Sequence, residues 1–294
     1  MERTATEGSL RGGSRLHLRL TVLGWAALLA GCAATPQGLA GPPDESRNQT
    51  TVALPSAEEL ASWQSMFAAA IFKARGDRTL PYRIYRPASA SRRPLVLILH
   101  ASGALGSDNA QQLGPFAASW ARPELAHDPP VVVVPQVAER SVVYARSSDG
   151  VPKASSPGPS FAMLAELLED LLRDPTIDKR RVYLVGFSMG GSAALQLALS
   201  RSRLVSAIFV FAPVPPPIGR AGELAKVPIF AVHGEADEEN PFAVSLAFMN
   251  NVKAKGGDVR LISYRGMGHR MPSDMLVDPG WRRQLLSTIG SARP

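Results

Sequence analysis

The chain has 294 residues, of which 45% are hydrophobic and 19% are charged, a balance typical of a globular domain with a sizeable core. Its formal net charge is +7, but no run of Lys and Arg exceeds three residues and no aromatic-interleaved basic face is visible, which argues against a nucleic-acid partner. The single cysteine, Cys32, excludes an internal disulfide framework.

The N-terminus has the pattern of an export signal. Three arginines between residues 11 and 19 precede an apolar stretch, residues 20–30, which is too short to span a bilayer. It ends in Leu29-Ala30-Gly31-Cys32, which resembles the lipobox of bacterial lipoproteins, whose cysteine is lipidated and becomes the mature N-terminus. We therefore predict a lipid anchor on Cys32 and export to a bacterial membrane, facing the periplasm or the cell exterior. An ordinary signal peptide cut near Ala34 is the alternative.

Composition divides the rest of the chain into two parts. Residues 32–54 are rich in Pro, Gly and small polar residues and have no apolar period, which is typical of a flexible tether. We predict a signal peptide over residues 1–31, a tether over residues 32–54 and one folded domain over residues 55–294. No internal repeat and no second core are visible in that domain.

The predicted domain alternates strands with helices. Ser56 and Glu59 form a capping box in front of an apolar segment, which predicts a helix from Ala57 to about Lys73. Residues 145–160 are rich in Ser, Gly and Pro and are predicted to be a loop. Strands are predicted at 80–86, 95–99, 131–134, 182–185, 207–212, 227–232 and 260–264, and further helices at 161–173, 242–255 and 281–289. This order predicts an α/β fold whose mostly parallel sheet is covered on both faces.

The most informative stretch is the strand-turn-helix segment 181–199. An apolar strand leads into Gly186-Phe187-Ser188-Met189-Gly190, and an Ala/Leu-rich helix follows. Gly-x-Ser-x-Gly in this setting is the nucleophile elbow of serine hydrolases, in which a tight, strained turn exposes the serine and leaves no room for a Cβ two residues to either side. The following helix directs its N-terminus at the site, which favours an oxyanion there.

Further polar residues follow the predicted strands. Parallel strands bring their carboxyl ends to one edge, where ligands bind, so Ser188, Asp237 and His269 should meet there in the chain order Ser, acid, His. We predict that His269 removes the Ser188 proton and that Asp237 holds the imidazole tautomer. The N–H groups of Met189 and Ser102 would stabilise the oxyanion.

Alternatives exist for several of these positions. His269 lies in a polar loop, where a surface histidine would be ordinary. The acids Glu235, Glu238 and Glu239 compete with Asp237 for the triad position. His100 and His233 are interpreted as residues that satisfy loop backbone. No His-Glu-x-x-His or Cys/His cluster is present, so no metal is expected.

In these motifs the chain resembles bacterial α/β-hydrolase esterases, in particular predicted peptidases, phospholipase/carboxylesterases and polyhydroxybutyrate-depolymerase- or feruloyl-esterase-like proteins. The resemblance is carried by the segments 80–83, 94–109, 134–136, 177–191, 233–241 and 268–269. It implies acyl transfer through a serine-bound intermediate without a cofactor. One departure is Ala101, where these proteins usually have the glycine of a His-Gly pair, so the Ser102 donor depends on how the loop accommodates a Cβ.

Three functions are compatible with the sequence. The leading hypothesis is an exported, lipid-anchored carboxylic-ester hydrolase that acts on a small-molecule or polymer ester. A prolyl-oligopeptidase-like serine peptidase would use the same triad, although the chain lacks the blade repeats of a propeller domain. The third hypothesis is a non-catalytic binding lipoprotein on a hydrolase scaffold. The connection 213–226 is too short for a large lid, which predicts an open site suited to soluble or polymer-displayed esters.

Overall fold

A computed structural model describes residues 41–88, 91–122, 129–277 and 280–289. The predicted signal peptide and Cys32 lie outside these residues. Among the described residues, no helix is both long and apolar enough to cross a membrane. In chain order the strands are β1 (Glu45–Arg47), β2 (Ala68–Lys73), β3 (Thr79–Tyr85), β4 (Arg93–Leu99), β5 (Val131–Pro135), β6 (Val142–Arg146), β7 (Pro152–Pro157), β8 (Ile177–Phe187), β9 (Ala207–Phe211), β10 (Ile229–Gly234) and β11 (Val259–Tyr264). The α-helices are α1 (Ala57–Ser65), α2 (Pro115–Ala118), α3 (Phe161–Leu171), α4 (Met189–Ser200), α5 (Phe242–Ala254), α6 (Ser273–Val277) and α7 (Gly280–Ile289).

Nine of these strands form one sheet in the order β1-β11-β10-β9-β8-β4-β5-β3-β2. The first seven strands in this order, which end with β5, are all parallel to their neighbours. The last two pairs are antiparallel, because β3 runs opposite to both β5 and β2. The mostly parallel α/β sheet predicted from the sequence is therefore confirmed. Its parallel strands bring their carboxyl ends to one edge, and β8, β10 and β11 deliver the segments with the predicted site residues there.

The core lies on both faces of the sheet. Alternate residues of β4 point to opposite sides, so that Leu95 and Leu97 join one buried cluster while Val96 and Ile98 join the other. The first cluster includes side chains of α3, α4 and α5, and the second includes side chains of α2 and α6 with α1 and α7 packed against it. The strands are continuous apolar runs because both faces are covered.

The predicted first helix is wrong in its second half. The capping box is present, since Ser56 Oγ accepts from Glu59 N (3.1 Å) and Glu59 accepts from Ser56 N (2.8 Å). However, the helix ends at Ser65, and Ala68–Lys73 is the edge strand β2, paired antiparallel with β3 along its whole length. Strand pairing overrides the helix propensity of the three alanines in this segment, which local sequence alone does not show.

The predicted loop 145–160 is also partly wrong, because β6 and β7 form a hairpin there. The hairpin turns at Gly150, whose positive φ of 83° suits glycine. It packs on α4, where Gln196 Nε2 donates to Ser155 O (2.8 Å), and on the connection after β9, where Ser155 N donates to Pro215 O (2.7 Å). Small polar residues give this hairpin little apolar alternation, so its stability comes from contacts that are distant in sequence.

Part of the predicted tether belongs to the sheet. Glu45–Arg47 forms β1, parallel to β11, and Arg265 N donates to Arg47 O (2.9 Å) just beyond it. Asp44 Oδ2 accepts from Leu261 N (2.7 Å), and its carboxylate pairs with Lys253 Nζ (2.5 Å). The tether prediction is therefore wrong for these residues, because one strand edge of β11 was open to pairing. The remaining domain boundaries stay predictions.

The capping box gives a stability prediction for α1. Ser56→Ala removes the acceptor for an N-terminal amide of the helix and should lower the free energy of unfolding by about 1 kcal/mol. Ser62, an exposed serine inside the same helix, provides the matched control, and Ser62→Ala should leave stability unchanged or raise it by about 0.5 kcal/mol, because alanine is the better helix former. Urea unfolding measures both, and equal effects of the two substitutions would contradict the cap.

Candidate active site

The turn between β8 and α4 has the backbone of a nucleophile elbow. Ser188 has a φ of 55° and a ψ of −119°, a strained conformation for a residue with a side chain. An added Cβ on Gly186 would lie 2.3 Å from the Gly190 carbonyl carbon, and one on Gly190 would lie 1.9 Å from Leu99 O. Both predicted glycine positions therefore have a steric reason, and Ser188 is further fixed by its N–H bond to Phe211 O (2.8 Å).

The structure brings Ser188, His269 and Asp237 together. His269 Nε2 lies 2.8 Å from Ser188 Oγ, and His269 Nδ1 lies 2.7 Å from Asp237 Oδ2. The Asp237 carboxylate can only accept at Nδ1, so Nδ1 carries the proton and Nε2 is left to accept from the serine hydroxyl. Ser188, His269 and Asp237, which are far apart in sequence, thus form one continuous hydrogen-bonded triad, in the arrangement that the sequence predicts. We call these three side chains the relay.

Asp237 is held as a buried carboxylate. Burial opposes its ionisation, but hydrogen bonds from His233, His269 and the Asn240 N–H outweigh that effect and hold its pKa well below the usual range. Its Oδ1 accepts from Asn240 N (2.8 Å) and Glu239 N (3.0 Å), while Oδ2 faces both imidazoles. Asp237 is therefore ionised throughout the neutral range and available to support a positive charge on His269.

The competing acids occupy other positions. Glu235 accepts hydrogen bonds from Ser46 Oγ (2.7 Å) and Ser263 Oγ (2.5 Å), and thereby joins β1 and β11 to the loop that carries Asp237. Glu238 is exposed. Glu239 Oε2 is 3.8 Å from His269 Nε2, but its side chain is 75% exposed. Asp237 alone of the four contacts the Nδ1 atom of the imidazole within the described structure.

The two backbone amides that the sequence assigns to an oxyanion site have no other partner among the described residues, and their role stays a prediction. The first hydrogen bond of α4 runs from Ser192 N to Ser188 O (3.0 Å), so the Met189 N–H has no partner inside the helix. Ser102 opens a short 3-10 helix that ends at Ala104, and within the described residues its N–H donates to no other group. Ala101 has φ −72° and ψ 166°, a conformation open to any residue, so alanine replaces the usual glycine there without backbone strain.

The loop after β4 is braced by the half-buried His100 and the buried Gln136. His100 Nε2 accepts from Val137 N (3.0 Å) and its Nδ1 donates to Ala101 O (2.7 Å), while burial lowers the pKa of His100, which is therefore neutral. Gln136 Nε2 donates to Asp108 Oδ1 (2.9 Å) and Ala104 O (3.3 Å). The interpretation of His100 as a residue that satisfies loop backbone agrees with these contacts.

The interpretation of His233 as a residue that satisfies loop backbone agrees with its bond to Asn240 O, but sequence reasoning missed its contact with Asp237 and the roles of Phe187 and Gln136. Phe187 stacks on the His269 ring with centroids 5.0 Å apart and an interplanar angle of 28°. His233 Nε2 donates toward both Asn240 O (2.8 Å) and Asp237 Oδ2 (3.2 Å). Gln136 braces the loop described above. The position of Phe187 beside the serine was visible in the sequence, but its stacking depends on where the chain places His269.

The surroundings of the relay contain no large insertion after β9. The connection between β9 and β10 holds one 3-10 helix, Ile218–Leu224, whose Ala221 and Leu224 are buried against the core. The predicted absence of a large lid at this point agrees with that arrangement. Within the described part of the chain, no group of three or more His, Cys, Asp or Glu side chains is placed to hold a metal ion.

Comparison with known proteins agrees with this fold. Residues 143–278 match the model of the phospholipase/carboxylesterase family. A putative esterase, NocK, of Nocardia uniformis subsp. tsuyamanensis is 25% identical over 56% of this chain and 47% of its own length. The bifunctional acetylxylan esterase/xylanase XynS20E of Neocallimastix patriciarum is 30% identical over 38% of this chain and 17% of its own length. The chain thus spans about half, or less, of these relatives.

Solved structures show the same fold. The crystal structure of a thermostable esterase superposes with a TM-score of 0.66 at 24% sequence identity, covering 77% of this chain and 63% of that one. Together with the family match, this confirms both the α/β-hydrolase fold and the resemblance to phospholipase/carboxylesterases that the sequence indicates.

The elbow geometry predicts that Gly190 tolerates no side chain. Gly190→Ala places a methyl group against Leu99 O and should destabilise the fold by about 3 kcal/mol or displace the elbow, with a loss of activity of the order of 100-fold. Gly219→Ala is the matched control, because a Cβ there meets no atom within 4 Å and φ is ordinary. Urea unfolding and ester hydrolysis measure both variants; a stable, fully active Gly190→Ala protein would contradict the packing.

Proposed function

We propose that this α/β-hydrolase is a serine esterase that cleaves carboxylic esters through an acyl-enzyme intermediate. The observation that carries the proposal is the relay from Ser188 Oγ through His269 to the ionised, buried Asp237 at the carboxyl edge of the sheet. The match to the phospholipase/carboxylesterase family and the esterase relatives support the same reaction class. The substrate is a small-molecule or polymer-displayed ester.

In the proposed mechanism, His269 Nε2 takes the Ser188 proton as Oγ attacks the ester carbonyl. Asp237 keeps the imidazole in the required tautomer and stabilises the imidazolium. The carbonyl oxygen becomes an oxyanion that accepts hydrogen bonds from the N–H groups of Met189 and Ser102. His269 then protonates the leaving alcohol. A water molecule, activated by the same imidazole, releases the acid from Ser188 and restores the resting state.

Removal of the nucleophile tests the proposal. Ser188→Ala should abolish labelling by a fluorophosphonate probe and reduce p-nitrophenyl acetate hydrolysis by a factor of about 10⁴ or more, because no oxygen remains to form the acyl-enzyme. Ser62→Ala, at an exposed serine of α1, is the matched control and should label and hydrolyse normally. Unlabelled wild-type protein with no ester hydrolysis would favour a non-catalytic binding protein instead.

A paired substrate comparison separates an esterase from a peptidase. Esters carry a better leaving group, so p-nitrophenyl acetate alone would not distinguish the two enzymes. The proposal expects hydrolysis of nitrophenyl esters and no measurable cleavage of peptide p-nitroanilides, including those with proline before the scissile bond. Cleavage of a peptide p-nitroanilide with a kcat/KM equal to or above that of the ester would establish the peptidase alternative.

The site of action is a separate proposal that rests on the sequence. Lipidation of Cys32 would hold the domain on a bacterial membrane, on its periplasmic or outer side. Full-length protein expressed in bacteria should then partition into the membrane fraction and the detergent phase, whereas Cys32→Ser protein should be soluble after export. The two proteins should differ because Cys32→Ser protein lacks the acyl chains that supply the membrane affinity. Equal partitioning of both proteins into the aqueous phase would contradict the anchor.

A further inference from the structure

An apolar cavity of about 360 Å³ opens beside the relay, and we call it the acyl cavity. Its wall includes Ala101 and Ala104 from the loop after β4, Gly114 and Phe116 from the start of α2, Phe187 from the elbow, and Met271. Each of three wall residues is next to the proposed machinery: Phe187 precedes Ser188, Ala101 precedes Ser102, and Met271 lies two residues after His269. Phe187 also stacks on the His269 ring, so the cavity borders the imidazole.

The acyl cavity has no buried charge. His100 is part of its wall, but both ring nitrogens are occupied by backbone groups and burial favours its neutral form. Arg270 also contributes to the wall, yet this side chain is exposed and bonds to Gln49 outside the cavity. An ionised group placed inside would therefore lose its hydration without gaining a buried counter-charge. The other polar residues of the wall, Gln111 and Gln112, are neutral, and Gln112 Oε1 is buried without a partner among the described residues. The cavity therefore suits a neutral, mainly apolar group.

The size of the acyl cavity indicates how large that group is. A cavity of about 360 Å³ is within the range of about 300–1,000 Å³ that holds drug-sized ligands. The methyl group of an acetyl ester would leave most of this volume to water, which finds polar partners in this wall mainly at Gln111, Gln112 and the exposed Arg270. A longer chain or an aromatic ring displaces that water and buries apolar surface against Phe116 and Phe187.

The position of the cavity indicates which side of the ester enters it. Ala101 and Ala104 flank Ser102, whose N–H is proposed to hold the carbonyl oxygen, and Phe187 precedes Ser188, to which the acyl half is bonded in the acyl-enzyme. A cavity beside Ser188 can therefore hold the acyl half through both steps, whereas the alcohol half departs after the first step, once His269 Nε2 has protonated it. We propose, on the basis of the proposed esterase function, that the acyl cavity receives a neutral apolar acyl group larger than acetyl, and that the residues at the start of α2 set its length.

Kinetics with the full chain and a series of p-nitrophenyl esters test this proposal. The kcat/KM should rise at least about tenfold from acetate to octanoate and 3-phenylpropanoate, since each buried methylene contributes roughly a fourfold gain. Gly114→Leu fills the cavity from a position where a Cβ meets no atom within 4 Å and φ is −70°. This variant should reduce the octanoate-to-acetate ratio of kcat/KM at least about tenfold.

Controls keep the result interpretable. Gly219→Leu adds the same side chain at an open, exposed position away from the cavity and should leave the ratio unchanged. Thermal unfolding and residual acetate hydrolysis report whether Gly114→Leu folds. If it does not, Ala104→Leu repeats the test from the part of the wall that the loop after β4 forms. A comparison of ethyl octanoate with octyl acetate separates acyl from alcohol binding, and the wall variants should impair hydrolysis of ethyl octanoate.

Three results would overturn the inference while leaving the esterase proposal intact. The first is a wild-type protein with no preference for larger acyl groups, and the second is a folded wall variant with an unchanged octanoate-to-acetate ratio of kcat/KM. The third is a wall variant that loses hydrolysis of octyl acetate rather than of ethyl octanoate. Failure of the proposed function itself has a different signature. In that case the wild-type protein would hydrolyse none of the esters and would not be labelled by a fluorophosphonate probe.

Discussion

The site depends on one imidazole held between two oxygens. His269 reaches Ser188 Oγ at 2.8 Å with one nitrogen and Asp237 Oδ2 at 2.7 Å with the other, so its tautomer and orientation are fixed before any substrate arrives. This arrangement requires that Asp237 remains ionised although it is buried. Hydrogen bonds from two imidazoles and from the Asn240 N–H stabilise the charge, and they outweigh the cost of removing the carboxylate from water.

The rest of the fold positions these three side chains. Parallel strands β8, β10 and β11 end at the same edge, so residues separated by up to 81 positions in sequence meet there. The elbow glycines allow the backbone to turn tightly against β4, and the strain at Ser188 is maintained by packing on both faces of the sheet. β1 and Glu235 further connect the outer edge of the sheet to the segment that carries Asp237.

Sequence patterns identified the central strands and the relay because both depend on local signals: apolar runs, glycine spacing and the order of residues at strand ends. They failed where contacts distant in sequence decide the structure. Ala68–Lys73 is a strand because β3 offers an edge, 142–157 is a hairpin because α4 and Pro215 hold it, and Glu45–Arg47 is a strand because β11 was open. The acyl cavity and the stacking of Phe187 on His269 likewise arise only from tertiary packing.

The central claim, that the Ser188 hydroxyl takes an acyl group from an ester, is tested most directly by mass spectrometry of an acid-quenched reaction. Wild-type protein mixed with p-nitrophenyl acetate and stopped within the first turnovers should carry the mass of one acetyl group. Proteolysis should place that group on the peptide that contains Ser188. Ester hydrolysis accompanied by an acetyl group on a different residue, or by none during a clear burst of nitrophenol, would contradict the account.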